Sequence, residues 1–328
     1  MSDTRRPTKL TKRLPVNGRS ALALARPALR STLRSLPFPL APPTVPAGVE
    51  PRRPEPRVGA AYDTAWARSY PARMARVLLV EGVVRPAIGV LAAPEVHGLD
   101  RLGELEGPAV FAANHHSHVD TPLLLSVIPE PWRHHLFIGA AADYFFANRV
   151  TGALSALVIG AIPIERTKVT RTSADQAAEL LDDGWSMVIF PEGGRSPDGW
   201  GQPFRGGAAY LSLRCGVPVV PVHLEGTGRI LRKGHTVPRP TPTRVTFGWP
   251  MRPADDEDSR RFAARIERAV AELADEAGTD WWSARRRAGA GRTPSLQGPD
   301  IGAWRRTWAL GDRRPGRRRR RPAWPDLG

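Results

Sequence analysis

The sequence predicts an α/β fold: a mostly parallel, mixed central sheet flanked by helices, with disordered basic tails. Three observations carry that prediction. From residue 96 onward, short apolar runs alternate with helical stretches. Several of the runs are apolar throughout rather than alternating, as strands are when helices cover both faces of their sheet. The positive charge sits at the ends: residues 1–57 carry 12 basic and 3 acidic side chains, residues 283–328 carry 13 and 3, and the middle nets −3.

The elements follow in order. Residues 1–57 form a Pro- and Arg-rich arm with little periodicity, except that Arg19, Arg26, Arg30 and Arg34 recur at helical spacing across 19–36, interrupted by Pro27. Trp66 to Leu91 reads as an apolar and basic helical region broken near Pro86, suited to packing on the core or lying at a membrane interface. Strands are expected near 109–113, 136–140 and 158–164, at Met187–Phe190, Pro218–Leu224 and Arg244–Phe247. Helices are expected near 121–128, 172–183, 206–215 and 257–277. A tail from 283 ends in the run Arg317 to Arg321 and cannot bury enough apolar surface to fold alone. The chain thus divides into an arm (1–57), a domain (58–282) and a tail (283–328).

Composition narrows the setting. Cys215 is the only cysteine, which excludes an intrachain disulfide and fits a reducing compartment. The N-terminus lacks the uninterrupted apolar region and cleavage site of a secretory signal. Nor is there a run of about 20 apolar residues: 74–93 is cut by Arg76, Glu81 and Arg85, and 150–164 is too short. A protein working on lipid from this sequence is expected to lie peripherally, at the cytoplasmic face, its basic arms against an anionic partner.

The sharpest local signal is Asn114-His115-His116-Ser117-His118-Val119-Asp120, placed where a strand ends and a helix begins. Functional side chains gather at such carboxyl ends of strands. A histidine suits proton abstraction near neutral pH, and a carboxylate on its far ring nitrogen fixes the tautomer and stabilises the imidazolium. His115 and Asp120 are the candidate pair. Asn114 and Ser117 are read as shaping the turn or capping the helix. There is no Gly-x-Ser-x-Gly elbow to supply a serine nucleophile.

Three further motifs follow in order: Gly160-Ala161-Ile162-Pro163-Ile164-Glu165-Arg166, then Phe190-Pro191-Glu192-Gly193-Gly194-Arg195-Ser196, then Val217-Pro218-Val219-Val220-Pro221-Val222. With the histidine motif they resemble the four signature blocks of the glycerol-phosphate and lysophosphatidate acyltransferase family, over about residues 74–275. The resemblance implies a glycerolipid-acyltransferase-like fold and direct acyl transfer from acyl-CoA or an acyl carrier protein thioester, with no cofactor or metal. The acceptor it implies is the free hydroxyl of a lysophospholipid such as 1-acyl-glycerol-3-phosphate. His115 would be the general base with Asp120. Arg166 and Arg195 would hold the acceptor phosphate through bidentate, charge-assisted hydrogen bonds. Glu192, Gly193 and Gly194 would complete the substrate-binding set, the glycines letting backbone approach a ligand. The partners implied are the thioester, the lysophospholipid and an anionic membrane surface, without nucleic acid. Two departures stand out: Gly194 replaces the usual Thr of the third block, and the first block has three histidines where one is typical.

Those extra histidines carry a rival reading. His116-Ser117-His118-Val119-Asp120 also matches the opening of metallo-β-lactamase-like zinc hydrolases, but Thr121 stands where that family places another His, and only His134, His135, His223 and His235 follow as ligands. A third reading is a basic scaffold or nucleic-acid-binding protein with an inactive core, using Trp304, Trp308 and Trp324 among the arginines of the tail.

Overall fold

The structure is a computed structural model, and it describes residues 58–164, 171–196, 199–231 and 237–298. The basic arm, Arg166, His235 and the tail beyond 298 lie outside the described residues. Seven strands form one sheet: β1 (Pro94–His97), β2 (Val110–Ala113), β3 (Leu136–Ala141), β4 (Ala161–Ile164), β5 (Ser186–Ile189), β6 (Val219–Glu225) and β7 (Thr243–Phe247). Their order is β1-β7-β6-β2-β5-β3-β4. Every neighbouring pair is parallel except β6–β7. The expected mixed, mostly parallel sheet is thus present.

The helices of eight or more residues are α1 (Tyr70–Leu79), α2 (Arg85–Ala92), α3 (Asp120–Val127), α4 (Arg149–Ile159), α5 (Arg171–Asp182), α6 (Gly207–Cys215), α7 (Ser259–Gly278) and α8 (Trp281–Gly289). Residues on β2 alternate between two cores. Phe111 and Ala113 join Ile88 and Ala92 of α2 and Leu123–Leu125 of α3 on one face. Val110 and Ala112 join Ala177 and Leu181 of α5, Ala208 of α6 and Phe262 and Ile266 of α7 on the other. That is why the central strand reads as continuously apolar. Helix α7 starts where Asp258 accepts the amides of Arg260 and Arg261 at 2.9 and 2.8 Å.

Three local expectations change. The apolar run 150–164 splits into α4 and β4, so the strand expected near 158–164 begins only at Ala161. Asn148 caps α4 by accepting Val150 and Thr151 amides at 3.0 Å, and Gly160 ends it at φ +64. Pro86 does not break the region around it. The helical stretch is continuous through it: a π-helical turn at Val80–Val84, closed by the Arg85 amide on Val80 O, carries α1 into α2. Finally, α8 crosses the position where the tail was drawn. Asp280 caps it, and Arg287 makes a bidentate pair with Asp275 of α7 at 2.7 and 2.6 Å, so these residues fold on α7 rather than alone.

This arrangement delivers the motifs to one edge. β2 and β5 are adjacent and parallel, so the histidine block after Ala113 and the glycine block after Ile189 leave the sheet side by side. β6 flanks β2 on its other side and runs the same way. β4, which leads into the second block, ends at the same edge beyond β3.

Candidate active site

His115 Nδ1 lies 2.8 Å from Asp120 Oδ2. The same Oδ2 accepts the backbone amides of His116 at 2.7 Å and Ser117 at 2.8 Å. Spacing explains this: the turn between β2 and α3 curls back so that the first residue of the helix faces the amides three and four positions earlier. The Asp120 side chain is fully buried, whereas that of His115 is 17% exposed. One ring edge of His115 is therefore tied to a carboxylate while part of the ring stays accessible. Its face is stacked on Phe190 with centroids 4.1 Å apart and planes 18° apart. Hydrogen bond and stack together leave the imidazole little rotational freedom.

The backbone of His115 is held just as firmly. Its amide donates to Glu192 Oε1 at 2.9 Å, and its carbonyl accepts from the Ser196 amide at 2.8 Å. The first and third blocks thus interlock through a single peptide residue. Glu192 Oε2 accepts the Gln202 amide at 3.0 Å, so both carboxylate oxygens are occupied by backbone donors. Burial pushes this carboxyl up to about 7, against the two amides, which favour its charged form.

Asn114 does not cap α3. Its side chain pairs with Leu224 of β6 in both directions, Nδ2 donating to the carbonyl at 2.9 Å and Oδ1 accepting the amide at 2.7 Å. The amide group imitates a ladder residue and continues the β2–β6 pairing past the end of the strand. Ser117 does shape the turn: its hydroxyl donates to Leu231 O at 3.0 Å and accepts from the Val119 amide at 3.2 Å. The end of β6, just beyond the fourth block, therefore fixes the histidine loop.

Gly193, Gly194 and Arg195 follow on the loop that clasps His115. Gly193 has φ +70, and a Cβ there would lie 2.8 Å from the Arg205 guanidinium carbon. At Gly194 a Cβ would meet nothing within 4 Å, so the position has room for the larger residue expected there. Gln202 Nε2 donates to the carbonyls of Gly194 and Arg195, each at 3.3 Å.

Among the described residues, the histidines of the zinc reading form no cluster of three metal-ligating side chains with one another. His118 stacks on Tyr144 with centroids 5.3 Å apart, and His116 Nδ1 is 3.4 Å from Asn114 Nδ2. His223 is buried in β6, and desolvation, then the neighbouring His116, pushes it down to about 3. Among the described residues, the one group of metal-ligating side chains with donor atoms within 4.8 Å of one another is Glu81, Glu130 and His134, away from the histidine loop.

Residues 93–225 match the family model described as Acyltransferase. That span is similar to an Acyltransferase domain. It contains the whole histidine loop, the glycine loop and β6, and so every contact made to His115. The chain is 35% identical over 143 residues to 1-acyl-sn-glycerol-3-phosphate acyltransferase BAT2, chloroplastic, of Brassica napus, covering 43% of this chain and 39% of that protein. It is 31% identical over 139 residues to the human 1-acyl-sn-glycerol-3-phosphate acyltransferase beta, covering 39% and 45%. The chain thus spans less than half the length of either relative. The fold is similar to that of the crystal structure of the 1-acyl-sn-glycerophosphate (LPA) acyltransferase PlsC of Thermotoga maritima: TM-score 0.53, 23% identity, 66% of this chain and 86% of that one.

Sequence reasoning did not assign Phe190 or Gln202 to the site. Phe190 stands directly before the Pro-Glu-Gly-Gly stretch at the end of β5, a placement that marks it as a neighbour of any residue leaving β2. Gln202 lies outside all four blocks and carries no local signal.

Proposed function

We propose that the chain transfers a fatty acyl group from an acyl-CoA or acyl carrier protein thioester to the free hydroxyl of a lysophospholipid such as 1-acyl-glycerol-3-phosphate. The observation that carries this reading is the 2.8 Å contact between His115 Nδ1 and a buried Asp120, on a ring that is part exposed at the carboxyl edge of the sheet. With Nδ1–H directed at the carboxylate, Nε2 is left to accept the acceptor's hydroxyl proton. The oxygen then attacks the thioester carbonyl, the new O–C bond forms, and collapse of the tetrahedral intermediate breaks the C–S bond. The leaving thiolate takes the proton back from His115. No cofactor enters this cycle. Arg195, together with Arg166, is proposed to bind the acceptor phosphate, and the Gly193–Gly194 backbone to line the same pocket. Glu192 acts by position, holding the His115 amide.

The test is thioester consumption by purified protein given acyl-CoA and lysophosphatidate, with and without chelator. Formation of phosphatidate that resists chelation is the expected outcome. Chelator-sensitive hydrolysis without transfer would put the zinc reading in its place.

We propose further that the protein works on the surface of a bilayer. No helix of the described residues is long and apolar enough to cross a membrane. α1 and α2 nevertheless present Tyr70, Met74, Leu78 and Val90 outward, Leu78 at 74% and Val90 at 81% exposure, beside Val150 and Leu154 of α4, which packs on α1. An interfacial helix pair buries such a face among lipid headgroups and upper acyl chains. Replacing Leu78 and Val90 together by Asp is expected to weaken binding to anionic vesicles by about tenfold or more, while activity on short-chain soluble substrates holds. Unchanged co-sedimentation with vesicles would remove this face from the membrane contact.

A further inference from the structure

The loop that holds Glu192 is itself held from an unexpected direction. Gln202 supplies the amide on Glu192 Oε2 and spans the carbonyls of Gly194 and Arg195, so its position sets the height of the glycine loop. The segment around Gln202 is covered by the chain that follows α8. The Gly201 amide donates to Leu296 O at 2.9 Å. A Cβ at Gly201 would lie 3.0 Å from Leu296 Cβ, and one at Gly298 would lie 2.5 Å from the Trp200 ring. Two positions therefore have no side chain where the two segments touch.

A second tie closes the arrangement. Glu267 of α7 accepts the Phe204 amide at Oε2, 3.1 Å, and the Gln297 side-chain amide at Oε1, 3.0 Å. One carboxylate thus fastens the segment after the glycine loop and the segment after α8 to the same helix. Leu296, Gln297 and Glu267 all lie beyond the matched span 93–225.

We propose that residues 295–298 are a positioning strap for the acceptor-binding loop. Through Gln202 they fix Gly194, Arg195 and Glu192 relative to His115. The strap does not touch the reacting atoms; it tunes how well the third block receives the acceptor. This rests on the reading above that the third block binds the acceptor, and small displacements of a positioned group change rates and affinities steeply.

The experiment uses the full chain and three variants that leave the proposed catalytic and binding residues intact. Gly201→Val wedges the strap away from Gln202, since Gly201 is not in the left-handed region and meets only the steric contact with Leu296. Gln297→Ala removes the tie to Glu267, and Gln297→Lys offers that carboxylate a cation instead. Expected in the first two are an acceptor KM raised about tenfold, kcat and thioester KM within about twofold of wild type, and partial recovery in the Lys variant. Hydrogen exchange without substrate is expected to quicken at the His115 and Gln202 amides while the β2 amides stay protected. Unchanged exchange at those two amides, or equal rises in both KM values, overturns the strap. If the wild-type chain transfers nothing to lysophosphatidate, the acceptor reading fails on that result alone, and the exchange rates still decide whether the strap positions the loop.

Discussion

His115→Ala is expected to lower acyl transfer by about 10³-fold while the protein stays folded. The two halves of that expectation come from different contacts. Chemistry would be lost because the ring is the proposed proton acceptor, and the other two imidazoles of the loop have different contacts: His118 is stacked on Tyr144 and His116 Nδ1 lies beside Asn114 Nδ2. Folding survives because the interlock with the third block runs through the His115 backbone amide and carbonyl, which alanine keeps. Asp120 Oδ2 also retains the two backbone donors of His116 and Ser117. Asp120→Asn is expected to be nearly as damaging, since a neutral amide oxygen can accept the three donors that Oδ2 holds but does not stabilise an imidazolium at His115. Initial rates with saturating thioester, alongside thermal melts, check both variants. A His115→Ala protein within tenfold of wild type would remove His115 from the chemistry.

The second large effect is expected at Glu192. Its two oxygens serve one amide each, from His115 and from Gln202. Alanine strands both buried donors, at about 1–3 kcal/mol each, and frees the peptide that carries the base, so transfer is expected to fall by about 10²-fold. The same carboxyl predicts a pH dependence. Its folded value of about 7 lies above the ordinary 4.5 because burial disfavours the charge. The folded state therefore holds a proton that the unfolded state has lost between those values. The stabilisation is complete below about pH 4.5 and is lost as pH rises through about 7, on the order of 3 kcal/mol in all. Melts of wild type and Glu192→Gln across that window provide the check: the wild-type midpoint should decline and level off above 7, and the Gln variant should lack that component. Parallel curves would mean that Glu192 does not titrate in this range.

Much of this site was legible in the sequence, and the reasons for the gaps are specific. Helix and strand alternation placed the histidine and glycine blocks at the ends of apolar strands, and adjacent parallel strands then had to bring them together. The His115–Asp120 pair follows from a five-residue spacing across a strand-to-helix turn. What stayed hidden was made largely of backbone. That Glu192 bonds the amide of His115, 77 positions away, leaves no trace in either residue's type. The Asn114–Leu224 pairing is invisible for the same reason. The run 150–164 failed differently, because a continuous apolar stretch fits a buried helix or a strand equally well. Asn148 and Gly160, its cap residues, carried the information that separates α4 from β4. The tail drawn from residue 283 overlooked Asp280 as a helix cap and Asp275 as the partner that lets α8 fold on its neighbour.

The strand order has a consequence for how the chain reaches this state as it is synthesised. β1 is an edge strand whose sole neighbour in the sheet is β7. Among the described residues, the first strand to be synthesised is therefore the last to find its place, because residues 243–247 must emerge before its partner in the sheet exists. Until then β6 lacks its antiparallel partner and exposes an unpaired edge beside the newly made histidine loop. A nascent chain arrested between Val222 and Thr243 holds all four signature blocks yet only an open sheet, and long-range pairings of this kind close slowly.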